Sequence, residues 1–252
     1  MTIAPGPGLA IAIVLLVGVA IAASAIGHLR QERAIGVAAL RAVVQLAAVS
    51  LVIAAALSSL LWSAVVVVVM FLVAALTSAH RVGALRRWPW VALAMAAGLT
   101  PTLTVIFVSG AVPFTGAALV PVVGIIIGGA MMAHTLVGMR AFGTLRERHG
   151  AYEAALSLGM SRAEAISEVV ADVLPEALVP GQDQTRTVGL VTLPGAYIGV
   201  LLGGGSALQA GAAQVLVLLG LVAAQTVTVV VAHLLIRSGR LLPADLRERL
   251  RP

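Results

Sequence analysis

Seven stretches of sixteen or more mostly apolar residues take up the greater part of this chain: 9–26, 36–57, 62–79, 90–109, 117–139, 187–202 and 212–236. Runs of that length constrain the fold more than any motif. A helix rises 1.5 Å per residue, so the eighteen residues of the first run reach about 27 Å, close to the hydrocarbon thickness of a bilayer. Barrel strands would show roughly ten alternating residues instead. Only 10% of the residues are charged, far below the share of a soluble domain. The expected fold is an all-α polytopic membrane protein, a single transmembrane domain over 1–252 with seven transmembrane helices.

The arginines orient it. Arg30 and Arg33 follow the first run, Arg81, Arg86 and Arg87 the third. Arg140, Arg146, Arg148, Arg162 and Arg186 follow the fifth, and Arg237, Arg240, Arg247, Arg249 and Arg251 the seventh. The intervening segments 58–61, 110–116 and 203–211 hold none. Fifteen of the sixteen Arg therefore fall on alternate connections, and the positive-inside rule makes that side cytoplasmic. The N-terminus is expected outside and the C-terminus inside. A signal peptide is the rival reading of the first run, but Met1–Gly8 carries no positive charge ahead of it.

Composition removes several chemistries. There is no Cys, hence no disulfide or thiolate metal site, and no Lys, hence no Walker-type phosphate loop. The chain is not expected to hydrolyse ATP or to act as an enzyme, and nothing points to nucleic acid. All ten acids lie in the cytoplasmic connections and at the C-terminal end, none within an apolar run. Ion-coupled carriers usually need an intramembrane carboxylate, so the driving force is expected from elsewhere.

The longest connection, 140–186, contains a polar helical pair. Tyr152–Leu158 ends one helix and Gly159 suits its C′ position. Ser161 and Glu164 then form a capping box, opening a second helix expected to run to about Leu174, before Pro175. Ile166, Val169, Val170, Val173 and Leu174 make its apolar face. Glu164, Glu168 and Asp172 make the opposite one. Such a pair either rests its apolar side on the bundle or bilayer, or docks a cytoplasmic partner.

Particular residues favour docking. Glu153-Ala-Ala-x-x-x-Gly159 resembles the Glu-Ala-Ala…Gly signature of ABC transporter permeases, although fourteen residues separate Gly159 from Leu174-Pro175 here, more than in importers. "TVGLVTLPG" at Thr187–Gly195 resembles the core of the iron-export ABC permease family, the FetB-like proteins, to which plant aluminium-tolerance permeases are related. "RAVVQL" at Arg41–Leu46, "VPVVGIIIGGAM" at Val120–Met131 and "LSLGMSRAEA" at Leu156–Ala165 extend the resemblance across nearly the whole chain. It departs at Ala196-Tyr197-Ile198-Gly199, where members commonly carry Met-Met-Ser/Thr-Gly, and at Pro180-Gly181, where they carry Pro-Thr. The resemblance implies a permease in the bacterial cytoplasmic (inner) membrane, working as a homodimer with a separate ABC ATP-binding subunit that holds ATP and Mg. Export of an iron-like metal ion is implied in the same way. In that reading Glu153, Gly159, Ser161, Glu164, Glu168 and Asp172 couple to the ATPase.

The candidate substrate path is the sixth run. Pro194 should kink or break it, Gly189 and Gly195 flank the site, and Gly195 and Gly199 lie four apart. A broken helix at membrane depth marks either a cavity lining or a small-residue seam. Arg41 and Gln45 share a face of the second run; Arg41 either snorkels or pairs with an acid, Asp183 being the candidate. His28, His80, His134, His149 and His233 offer few metal ligands, and the metal-binding residues stay unassigned. A stand-alone channel or secondary carrier for a small solute is the alternative to an ABC subunit, and an ABC permease for a non-metal solute is the alternative to a metal exporter.

Overall fold

The computed structural model describes residues 6–250; Arg251, part of the arginine pattern, and Met1–Pro5 lie outside the described residues, as do the side chains of residues 52–58. The chain divides into two compact units, Met1–Ser58 and Ser59–Pro252.

The first unit is a helical hairpin of α1 (Pro7–Ile26) and α2 (Glu32–Ser58). Its turn is tight enough to put His28 and Arg30 at positive φ, 53° and 56°. A local hydrogen-bond pair fixes the hairpin: buried Ser24 donates to Glu32 Oε1 at 2.8 Å and accepts from the Gln31 N–H at 3.1 Å.

The second unit is a bundle. Its long helices are α3 (Leu60–Arg81), α4 (Trp88–Val108), α5 (Gly116–Glu147) and, later, α10 (Ala207–Arg237). Between α5 and α10 come the short helices α6 (His149–Ser157), α7 (Arg162–Val170), α8 (Val179–Thr187) and α9 (Gly195–Leu202). A last short helix, α11 (Ala244–Arg249), follows α10. Single 3₁₀ turns precede α4 and link α7 to α8.

Lipid tails are as apolar as Leu, so helix association here depends on close packing rather than on expelling water. The core shows it. Ala74, Ala75 and Ala79 of α3, Ala94 of α4, Ala130, Ala133 and Ala141 of α5 and Ala224 of α10 are all buried. Gly98 of α4 lies directly against the Ala224 carbonyl and the Thr228 hydroxyl of α10. Gly138 of α5 lies against Val82, where an added Cβ would come within 2.7 Å.

Among the described residues six helices are long and apolar enough to cross a membrane: α1, α2, α3, α4 with its preceding turn, α5 and α10. The sixth predicted span, 187–202, is not a helix of that kind. Helix α8 stops at Thr187 and the chain becomes helical again only at Gly195. Gly189 takes φ +80°, and Pro194 is extended at φ −70°, ψ 154°. Pro194 therefore caps α9 instead of kinking a continuous helix. Two other boundaries move. Helix α5 runs on to Glu147, so the connection expected from residue 140 begins as a continuation of the span. Helix α7 ends at Val170, not near Leu174; Pro175 lacks the N–H that would extend the ladder, and the chain tightens into 3₁₀ turns.

Candidate coupling surface and polar strip

The bend between α6 and α7 is fully specified by backbone bonds. The Gly159 N–H donates to the Leu156 carbonyl at 2.9 Å and the Met160 N–H to the Ala155 carbonyl at 3.2 Å, a Schellman closure with Gly159 at φ +89°. The capping box is present: the Glu164 N–H donates to Ser161 Oγ at 3.4 Å and the Ser161 N–H to Glu164 Oε2 at 2.8 Å. These bonds hold the Glu164 carboxyl below its ordinary range, the Ser161 side-chain bond first, with the positive charge of Arg237 adding to them. Ala165, Ile166, Val169 and Val170 are buried against the bundle of α5 and α10. The apolar face thus rests on protein.

What this element leaves outward is mixed. Leu158, at the bend, is 82% exposed, and Met160 beside it is also exposed. Glu164 and Glu168 are exposed on α7. Asp172 is exposed too, but sits in the 3₁₀ turn beyond α7, 3.9 Å from Arg148, so it does not extend the helical acidic row. Glu153 lies 3.5 Å from the His149 ring. A cleft of about 970 Å³ opens beside the bend, lined by Gly159, Ser161, Glu164 and Glu168 and by His233 and Arg237 of α10.

The segment after α10 braces this platform. Tyr152 is buried and donates from its hydroxyl to the Leu250 carbonyl at 3.2 Å. Arg146 holds Asp245 with two bonds, 2.8 and 3.2 Å, which keep that carboxyl below the usual Asp range.

The chain from α7 to α9 runs antiparallel along α10. Ser167 meets His233 at 3.2 Å, Gly181 abuts Gln225, and α9 packs on α10 across the turn 203–206. That turn ends in a second capping box, Ser206 with Gln209. Gln225 lies twelve residues before Arg237 in α10, about 18 Å along the helix. Helix α8 thus begins deep along a spanning helix, and its sequence, VPGQDQTRT, is polar. Asp183 lies there, 3.6 Å from Arg186 on the same helix, both exposed on the single chain. The sequence offered Asp183 as a partner for Arg41 should that arginine not snorkel. Within its own unit Asp183 pairs with Arg186; Arg41 and Gln45 lie on α2, exposed, in the N-terminal unit.

Beyond α8, the Gly189 N–H donates to the Thr192 carbonyl at 2.9 Å, closing a small loop that exposes Leu190, Val191 and Leu193. A Cβ added at Gly195 or Gly199 would meet nothing within 4 Å. Among the described residues of this unit, none packs against those glycines in the tight seam that was one of the two expectations for them.

Several polar residues escaped the sequence reading. Gln214 and Gln225 are buried in α10, the latter donating to the Gly129 carbonyl at 3.4 Å. Their signal was available: two amides eleven residues apart, three turns, in an otherwise apolar run. Ser78 and Thr135, which the sequence reading also missed, form a buried cluster between α3 and α5 with His134, one of the histidines it named. Among the described residues no group of three or more His, Cys, Asp or Glu is placed to hold a metal ion.

A helical bundle with several apolar spans and a polar strip along one of them defines the class: an all-α polytopic integral membrane protein. Residues 8–239 match the family described as "Uncharacterised protein family (UPF0014)", and the chain belongs to that family. It is 31% identical to Protein ALUMINUM SENSITIVE 3 of Arabidopsis thaliana, over 66% of this chain and 62% of that protein. It is 30% identical to the UPF0014 membrane protein STAR2 of Oryza sativa subsp. japonica, over 86% and 78% respectively. It is also 30% identical to the probable iron export permease protein FetB of Escherichia coli (strain K12), over 57% and 54%. The chain thus spans less than two thirds of the length of the first of these relatives. The relatives are named as membrane proteins and a permease, none as an enzyme. No solved structure matches the chain.

Proposed function

We propose that this chain is the permease subunit of an ABC transporter, powered by a separate ATP-binding subunit that docks at the α6–α7 bend. The observation that carries this reading is the bend itself. An apolar tip, Leu158 and Met160, stands exposed on a rigid, capped pair of helices, flanked by Glu164 and Glu168. Exposed apolar surface rimmed by charge suits a partner, and the buried face of α7 ties any displacement of the tip to α5 and α10. Glu153, Gly159, Ser161 and Asp172 shape and flank the same surface.

The cargo we propose is an iron-like metal ion, moved outward, on the strength of the relation to a protein named a probable iron export permease. The path we propose runs along α8, the break at Gly189–Pro194 and the start of α9. Polar backbone and an ion pair at membrane depth are tolerated only against protein or water. A second copy of the chain would close that path, using the open faces of Gly195 and Gly199, with Arg41 and Gln45 contributing from α2. Helix α9 alone reaches only about 12 Å, and in this reading α8, which lies along α10, supplies with the looped residues 188–194 the remaining length of a seventh crossing. The N-terminus is then outside and the C-terminus in the bacterial cytoplasm.

The test is co-purification with the ATP-binding subunit from the same source, followed by ATP-dependent transport of a panel of metal ions in proteoliposomes. Leu158→Asp, or Glu164→Lys with Glu168→Lys, should cut ATPase association at least tenfold and leave insertion intact, a loss on the order of 1.4 kcal/mol or more. Undiminished association in both variants, or transport without any ATP-binding subunit, would favour a stand-alone carrier.

A further inference from the structure

We propose that the second unit holds the phosphate of an anionic phospholipid between the α3–α4 turn and the segment that follows α10. A cavity of about 460 Å³ lies there, with Arg86 and Arg87 on one side and Arg247 on the other. Gly83, Ala84, Leu242 and Pro243 line the remainder, and no carboxylate lines it. None of the three guanidinium groups makes an ion pair or side-chain hydrogen bond among the described residues. Of the acids in the adjoining segment, Asp245 is already held by two bonds from Arg146, and Glu248, which lines a separate cavity with Arg162 and Arg247, makes no ion pair with the three arginines among the described residues. Three cations gathered around one cavity without a counter-charge repel one another, and a bound phosphate diester removes that repulsion while taking up their planar donors.

The site is built on fixed backbone rather than on a loose arm. Ala84 is 3% exposed, and Leu242 is fully buried in the core. Its surroundings select an amphiphile over a free anion. Leu85 and Trp88 are exposed at its edge, at the point where α4 turns into the apolar bundle. Trp90, two residues further, lies under the Arg240 guanidinium at 5.1 Å. Indole rings at the level where Arg gives way to apolar helix are the arrangement of a membrane interface. A headgroup seated on the three Arg would lay its acyl chains along Leu85 and Trp88, as basic pockets between spanning helices do with acidic lipids.

Native mass spectrometry of the delipidated full chain tests this by titration with phosphatidylglycerol, phosphatidylcholine and inorganic phosphate. The wild-type chain should retain one phosphatidylglycerol with a preference over phosphatidylcholine on the order of a hundredfold, from three basic groups at the surface. Millimolar inorganic phosphate should not displace it. The Arg86→Gln/Arg87→Gln/Arg247→Gln triple variant should lose the preference, whereas Arg140→Gln, whose guanidinium pairs with Glu176 at 3.1 Å, should keep it. Equal retention of the two lipids by the wild-type chain overturns the proposal without recourse to any variant. So does an unchanged preference in the triple variant. Full displacement by inorganic phosphate would make this a free-anion site and overturn the lipid assignment.

Discussion

At the scale of single residues, the proton positions in the buried polar cluster follow from its bonding order. Thr135 donates to the Met131 carbonyl at 2.8 Å, so its oxygen must accept from Ser78 at 2.9 Å. Ser78, its one proton spent, must accept from His134 Nδ1–H at 2.8 Å. The neutral ring then has its proton on Nδ1, and Nε2 is left as a buried lone pair without a partner among the described residues. Ser78→Ala strands the Nδ1–H as well, and should cost about 1 kcal/mol, read as a lower Tm of the detergent-solubilised protein. Ser78→Thr keeps the hydroxyl and should restore part of it. Glu164 offers a second test. Its folded pKa is depressed, so the stability it adds to the start of α7 is fully present above the ordinary Glu value and is lost as pH falls through the lower folded value. Between pH 5 and 8 the capping box should therefore not change, as read by hydrogen exchange at the start of α7. Glu164→Gln still accepts the Ser161 N–H and should leave the cap in place. Any ATPase binding it loses then belongs to charge and not to folding.

At the scale of elements, two contacts decide how helices meet. Gly98→Val would drive a side chain into the Ala224 carbonyl of α10, a backbone atom that cannot swing aside. Separating α4 from α10 in this way should lower stability by about 1–3 kcal/mol, seen in the same thermal assay. The break before α9 is held by Gly189 at φ +80° and by Pro194, which keeps the preceding residue from turning helical. Gly189→Ala strains the loop, and Pro194→Ala lets α9 grow backward. Each should impair transport more than assembly, measured as flux per inserted chain. The apolar runs and the capping box were legible because each rests on local rules: length, periodicity and a Ser-x-x-Glu spacing. The interruption of the sixth run was foreseen from Pro194, but its form was not. The depth of α8 was not legible either, because the residues that place Gly181 beside Gln225 lie more than forty positions apart. A polar string such as Gln182-Asp183-Gln184 reads as loop until its neighbour is known.

At the scale of the whole molecule, the proposed topology, with Arg-bearing and Arg-free connections on opposite sides, has residues 187–206 carry the chain across the membrane. A single Cys introduced at Ser206 into this Cys-free background should be labelled from outside the cell and protected from the cytoplasm; the reverse would leave only six crossings. The bracing of α6 by residues 241–250 has a bearing on how the protein is made. Leu241, Leu242, Leu246 and Leu250 are fully buried, and the Leu250 carbonyl receives the Tyr152 hydroxyl. These residues leave the ribosome after every spanning helix has been synthesised. On the proposed docking reading, the surface at α6 is firm only once residues 241–250 have been made, and a chain stopped before them has no firm surface to offer an ATP-binding subunit. Translation stopped after Arg240 should yield a protein that inserts normally but leaves α6 open to protease. The order of synthesis would then act as a proofreading step, keeping the energy source away from unfinished subunits.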